Sequence, residues 1–171
     1  MHATFLSKIR LALAVFWLTA SPSIAQQQAP FALSIRASHF EIGSEIGNTS
    51  FERVKAGSPV QVELSFTNLS NDEIWYVRTN PIRDYAISVA DTEGGRVQET
   101  AKLQELRSVL AGKTTKVISS SVSASQLKPG ETRVEYILLT DFYNMSKPGR
   151  YTVQVSKGAV KSNPITIVVT Q

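Results

Sequence analysis

The sequence predicts an all-β protein: a single immunoglobulin-like antiparallel β-sandwich of about seven strands, with one short helix near residues 101–110. Three observations carry that expectation. Segments with apolar residues at every second position recur along the chain, as half-buried strands require. Clusters of Gly, Pro, Asn, Asp and Ser separate these segments at short intervals. Near the C-terminus, Tyr151 stands two residues before Val153, the spacing of the tyrosine corner found in such sandwiches.

The elements follow in order. "FALSIRA" sets Phe31, Leu33 and Ile35 on one face as a first strand. The Gly-rich stretch after it reads as loop, with a short edge pairing around Phe51 to Val54. "VQVELSFTN" is the strongest strand, a central one, with Val60, Val62, Leu64 and Phe66 facing inward. Asn68, Ser70, Asn71 and Asp72 then favour a turn, and a hairpin-like reversal leads into Ile74 to Val77. "RTNPIRD" reads as a loop broken by Pro81, before a strand with Tyr85, Ile87 and Val89 alternating. Gly94-Gly95 suits a tight hairpin with both glycines at positive φ, bringing Arg96 to Gln98 back to pair. Leu103, Leu106 and Leu110 fall at helical spacing before Gly112, a C-cap residue, so Thr100 to Gly112 reads as a short helix or an irregular excursion. Lys116 to Ser123 is a weak edge strand or extended loop. Three more strands carry Val134, Tyr136 and Leu138, then Tyr151, Val153 and Val155, then Ile165, Ile167 and Val169.

The first 25 residues have the organisation of a secretory signal peptide: Lys8 and Arg10, an apolar run from Leu11 to Ala20, and small residues ending at Ala25. The apolar run is about half the length a membrane span needs. Residues 26–30 form a flexible leader and residues 31–171 the sandwich, so the expected protein is secreted or periplasmic, cleaved after Ala25, with no membrane span afterwards. Removing Lys8 and Arg10 leaves 16 basic residues against 14 acidic ones, a net charge of +2. So small a charge, with no dense Lys/Arg run, gives no footprint for nucleic acid. The absence of cysteine excludes thiol catalysis and thiolate metal sites, and requires a core that holds without disulfides.

Two KPG units, Lys128-Pro129-Gly130-Glu131 and Lys147-Pro148-Gly149-Arg150, both read as type II turns, with Pro presetting φ and Gly accepting positive φ. Each launches a strand. In the second, Pro148, Gly149 and Tyr151 form the structural corner, with the Tyr151 hydroxyl expected to bond a backbone group near Met145 to Lys147. "QLKPGETRVEYILLTDFYNMSKPGRYTVQV" and "PVQVELSFTNLSND" resemble the non-catalytic β-sandwich domain that precedes the catalytic domain of secreted peptidyl-Lys metallopeptidases. They are also similar to bacterial proteinase-inhibitor domains of the BsuPI type. Both resemblances imply a β-sandwich. Peptidyl-Lys metallopeptidases hold zinc in an H-E-x-x-H helix that this chain lacks, so no catalytic residue carries over.

Chemistry-bearing residues are sparse. His39 follows Ser38 without a G-x-S-x-G elbow, which reads as a loop histidine. Asp72, Glu73, Asp84, Asp91 and Glu93 fall in turns, where solvated acids are ordinary, and lack the D-x-D-x-D-G spacing of a calcium loop. The Asn48, Asn68 and Asn144 sequons sit in expected loops. Trp75 is expected in the core, as sandwiches bury a tryptophan between their sheets. No catalytic residue, cofactor or metal site is expected. The expected function is noncovalent recognition of a protein or cell-envelope partner through end loops: Asn68, Asn71, Asp72 and Glu73; Asp141, Phe142, Tyr143 and Asn144 of "DFYNM"; and Thr100 to Gly112. A proteinase inhibitor is one alternative. A carbohydrate-binding module is another, and it requires Trp75 exposed beside other aromatics.

Overall fold

The computed structural model describes residues 29–38, 52–116 and 121–171. The expected signal peptide, His39, the Asn48 sequon and most of the Gly-rich loop lie outside the described residues. Among these described residues, ten strands and two helices follow in order: β1 (Phe31–Ser38), β2 (Glu52–Lys55), β3 (Gln61–Asn68), β4 (Ile74–Arg78), α1 (Pro81–Asp84), β5 (Ala86–Ala90), α2 (Ala101–Leu110), β6 (Ser123–Leu127), β7 (Thr132–Leu138), a 3-10 turn (Leu139–Asp141), β8 (Gly149–Lys157), β9 (Val160–Lys161) and β10 (Ile165–Thr170).

The chain is an all-β sandwich. One sheet has the order β1-β3-β7, antiparallel throughout; the other runs β2-β10-β8-β5, with β9 paired to β8; β4 and β6 form a separate two-stranded ribbon. β3 is central, as its pattern predicts. β2 pairs with β10 in parallel, which departs from the purely antiparallel expectation. β4 does not fold back on β3: it joins β6, a Ser-rich strand that no apolar alternation announces.

The core is one cluster, and its fully buried members come from both main sheets: Val62, Leu64 and Ile137 on one side, Val153, Val155 and Ile167 on the other. Phe66 stacks on Phe31 at 4.5 Å between ring centroids and meets Tyr76 at 5.1 Å, carrying the core from β1 across to the β4–β6 ribbon. The side chain of Asn163 accepts from the Ile35 N–H and donates to the Ile35 carbonyl, both at 2.9 Å. It thereby serves the outer edge of β1 as a neighbouring strand would.

Several local readings need correction. In β7 the buried residues are Glu135 and Ile137, followed by Leu139, while Val134 and Tyr136 face solvent. The register pairs Leu64 with Glu135 and Val62 with Ile137, which fixes that phase. Trp75 is 66% exposed; the neighbouring Tyr76 takes the inward position instead. "RTNPIRD" contains the single helical turn α1, with Asn80 accepting from the Ile82 N–H as N-cap and Pro81 at its first position. The Gly94-Gly95 turn has only Gly94 at positive φ (76°), and Asp91 Oδ1 accepts from the Glu93 and Gly95 amides; β5 gains from it one bridge, Ala90 with Arg96.

The two KPG units differ. Gly130 has φ 76° and the Glu131 N–H donates to the Lys128 carbonyl at 3.0 Å, a type II turn. Gly149 has φ 159°, close to extended, and already opens β8. Here the Lys147 carbonyl accepts the Tyr151 hydroxyl at 2.8 Å, two residues before the fully buried Val153. α2 spans the expected residues. Thr100 Oγ1 accepts from the Leu103 N–H at its start, and at its end the Gly112 and Lys113 amides donate to the Val109 and Ser108 carbonyls with Gly112 at φ 66°, a Schellman motif.

Tyr151→Phe removes the corner hydrogen bond while keeping the ring in place. The expected cost is about 1 kcal/mol, read by urea unfolding. An unchanged midpoint would show that the hydroxyl does not contribute to the corner.

Candidate functional site

The residues expected in binding loops do not converge. Asn68 ends β3, whereas the 3-10 turn that starts "DFYNM" is tied to the other end, where the Leu139 N–H donates to the Val60 carbonyl. At roughly 3.4 Å per residue along β3, the two loops sit at opposite ends of the sandwich.

Asn68 is fully buried and its side chain is saturated. Its Nδ2 donates to the Leu127 and Asp72 carbonyls, and its Oδ1 accepts from the Ser70 N–H and hydroxyl. Asn71, Asp72 and Glu73 remain exposed on the turn that Asn68 shapes. In "DFYNM", Phe142, Tyr143 and Met145 are buried, leaving Asp141, paired with Lys102, and Asn144 toward solvent. Aromatic residues in a short loop mark a recognition surface only when the loop stands off the core; this one is folded onto it. Pro148 is exposed, and Tyr151 belongs to the corner described above.

The expected excursion does form one wall of a cleft. This cleft, of about 760 Å³, lies between α1 and α2, with the buried Tyr85, Ile87 and Tyr143 as its floor and Ser156, Lys157 and Gly158 also in its lining. The sequence folds this way because Pro81 and Asn80 force one helical turn before β5, while Leu103 and Leu106 bury one face of α2. Four cations line it: Arg83, Arg107, Lys113 and Lys157. Arg107 shares its charge with Glu99 at 3.0 Å, whereas Arg83 and Lys113 have no ion pair among the described residues. Lys157 lies 4.9 Å from the Tyr85 ring centroid, a cation–π contact. The one acid in the lining, Asp84, accepts from the Thr79 N–H at 2.6 Å and from its hydroxyl at 2.7 Å, so its carboxylate is engaged within its own turn.

Behind the floor, Glu135 is buried and accepts on Oε1 from the Tyr76 hydroxyl and, at 3.1 Å, from the Tyr85 hydroxyl. Burial pushes the Glu135 carboxyl above the usual value of 4.5, opposed by the charge of Lys157. Burial also pushes the Tyr85 phenol well above its usual range, with Asp84 adding to the effect. Burial raises Tyr143 too, with Arg107 opposing. Tyr85 therefore links the cleft to a carboxyl in the core. Sequence reasoning missed Arg83, Lys113 and Lys157 because they are dispersed single cations, and only the tertiary fold gathers them.

No group of three or more His, Asp or Glu residues that could hold a metal ion occurs among the described residues. No helix among them is long and apolar enough to cross a membrane. No family model matches the chain, and no curated protein matches it. Solved structures with some likeness include a mutant β-glucosidase from Listeria innocua in complex with laminaribiose (15% identity, TM-score 0.40, covering 82% of this chain and 16% of that one). A β-glucosidase from Erythrobacter marinus is similar at 11% identity and TM-score 0.39, over 81% of this chain and 15% of that one. The chain spans about a sixth of the length of these enzymes. A likeness this low carries no argument about activity.

The raised Glu135 carboxyl gives a pH prediction with a definite sign. Because folding favours the protonated form, its stabilising contribution is present below 4.5 and is lost as pH rises through the higher folded value. Glu135→Gln keeps an acceptor for both phenols without the charge. Between about pH 4 and about pH 7, its Tm should gain progressively on that of the unsubstituted protein. Parallel Tm curves would contradict the assignment.

Proposed function

We propose that this protein is a secreted or periplasmic, non-catalytic domain that binds a protein or cell-envelope partner noncovalently. The observation that carries this reading is the cleft between α1 and α2, a concave site of ligand-accommodating volume with an aromatic floor and a cationic rim. The one carboxylate in its lining is engaged by Thr79, and the Tyr85 and Tyr143 hydroxyls donate to Glu135 and the Ile87 carbonyl, so the charged groups left for an occupant are cations. That is chemistry for holding a ligand. The signal-like N-terminus supports the location.

A second reading has an observation of its own. Trp75 and Val77 are exposed on one face of the β4–β6 ribbon, opposite Gln126 and Ala124, with no charged residue among the four. An exposed indole beside an amide suits the stacking face and hydroxyls of a neutral sugar. The exposed Trp75 meets half of what a carbohydrate-binding module requires; no second aromatic stands among these four residues, and the patch is separate from the cleft.

The first reading is tested by affinity capture from envelope extracts with the immobilised protein. A specific partner should be recovered, and Ser108→Trp, which fills the cleft from its α2 wall, should abolish recovery. No specific partner, or equal recovery with Ser108→Trp, would refute it. For the second reading, Trp75 supplies the indole emission of the signal-free chain, since the only other tryptophan is Trp17. Titration with neutral polysaccharides should shift that emission, and Trp75→Ala should abolish retardation in polysaccharide-containing gels. Unshifted emission and equal mobility would exclude a sugar platform there.

A further inference from the structure

We infer that the cleft between α1 and α2 takes a non-peptide oligoanion, a short run of phosphate or carboxylate groups on a polymer backbone. This inference rests on the proposed binding role of the cleft and names the chemistry of its occupant.

The lining is rich in positive charge. Arg83 comes from α1, Arg107 and Lys113 from α2 and its cap, and Lys157 from the end of β8, so the cations stand on three separate elements around one volume of about 760 Å³. Asp84 is the single acid in that lining, and it is turned to Thr79. Cations distributed in this way match several spaced anionic groups better than one point anion. Arg107 is paired with Glu99, and Lys157 keeps its charge while donating to the Asp84 carbonyl at 3.4 Å. With salt screening lengths of about 8–10 Å, Arg83, Lys113 and Lys157 add to one positive potential across the cleft.

The edge of β5 disfavours an extended peptide. β5 is the outer strand of its sheet and lies along the cleft, so its free edge is where a peptide would add as a further strand. Two of its carbonyls are occupied. The Tyr143 hydroxyl donates to the Ile87 carbonyl at 2.7 Å and the Val97 amide donates to the Val89 carbonyl. An added strand would find both of these acceptors already engaged. An occupant is then held mainly by side chains, and the charged side chains left free to meet it are cationic.

The test is titration of the 15N-labelled protein with tripolyphosphate, with trigalacturonate and with a Glu-rich hexapeptide. Tripolyphosphate or trigalacturonate, or both, should shift the amide resonances of Tyr85, Lys113 and Lys157, and which of them binds identifies the source as phosphate or uronate. The affinity should weaken by about tenfold or more in Arg83→Gln/Lys113→Gln and fall again with added NaCl. The inference is overturned if neither anion shifts cleft resonances, if the double variant binds equally well, or if the hexapeptide binds the cleft more tightly than both. Capture separates the two levels: a partner lost with Ser108→Trp but kept with Arg83→Gln/Lys113→Gln leaves the binding role standing and removes the oligoanion.

Discussion

Apolar contact between the two main sheets is the interaction on which everything else depends. The chain has no cysteine, so no covalent bridge joins the sheets where immunoglobulin domains carry one. Val153 occupies the corresponding inward position on β8 and is fully buried, with Val155, Ile167, Val62, Leu64 and Ile137 in the same cluster. Each such side chain contributes about 1.5–3 kcal/mol when removed from water. The tyrosine corner, the Asn163 clasp and the Asn68 hub add direction to that burial and could not replace it.

Polar groups inside this core are few and all are satisfied: among the described residues, no buried side-chain nitrogen or oxygen lacks a partner. Their placement explains most of what sequence reading got wrong. "TRVEYILL" offers two phases, one led by Val134 and Tyr136 and the other by Ile137 and Leu139 with a glutamate in it. Pattern alone rejects the phase with the charge. The fold adopts it because Tyr76 and Tyr85 supply hydroxyl donors to Glu135, so a group costly to bury unpaired arrives with partners from β4 and the start of β5. The same arrangement turns Tyr76 inward and leaves Trp75 outside.

Where local chemistry decides, the sequence was legible. α2, its Thr100 cap and its Gly112 terminus follow from short-range rules, as do the first KPG turn and the central strand β3. β6 has no apolar alternation and owes its existence to β4, so nothing local announces it. "DFYNM" has the composition of a recognition loop, yet a 3-10 turn lays Phe142 and Tyr143 back onto the core. The cleft is the extreme case. Its cations lie at positions 83, 107, 113 and 157, too far apart in the chain for any motif to contain them.

α2 joins the core to the cleft. Its buried Leu103 and Leu106 anchor it to the core, and the Thr100 amide and hydroxyl bond the Phe142 and Asp141 carbonyls, which holds the helix against the segment whose Tyr143 occupies the Ile87 carbonyl on the β5 edge. Covering part of that edge reduces the hazard an unpaired strand poses. The basic residues near the end of α2 have a purely structural explanation as well, since cations favour a helix C-terminus. That explanation covers Arg107 and Lys113 and stops there. Lys157 lies on a strand and Arg83 in a helix of one turn, too short to carry much of a dipole, yet both line the same cleft. The accumulation of positive charge therefore exceeds what stabilising α2 requires, and the excess is concentrated where the surface is concave.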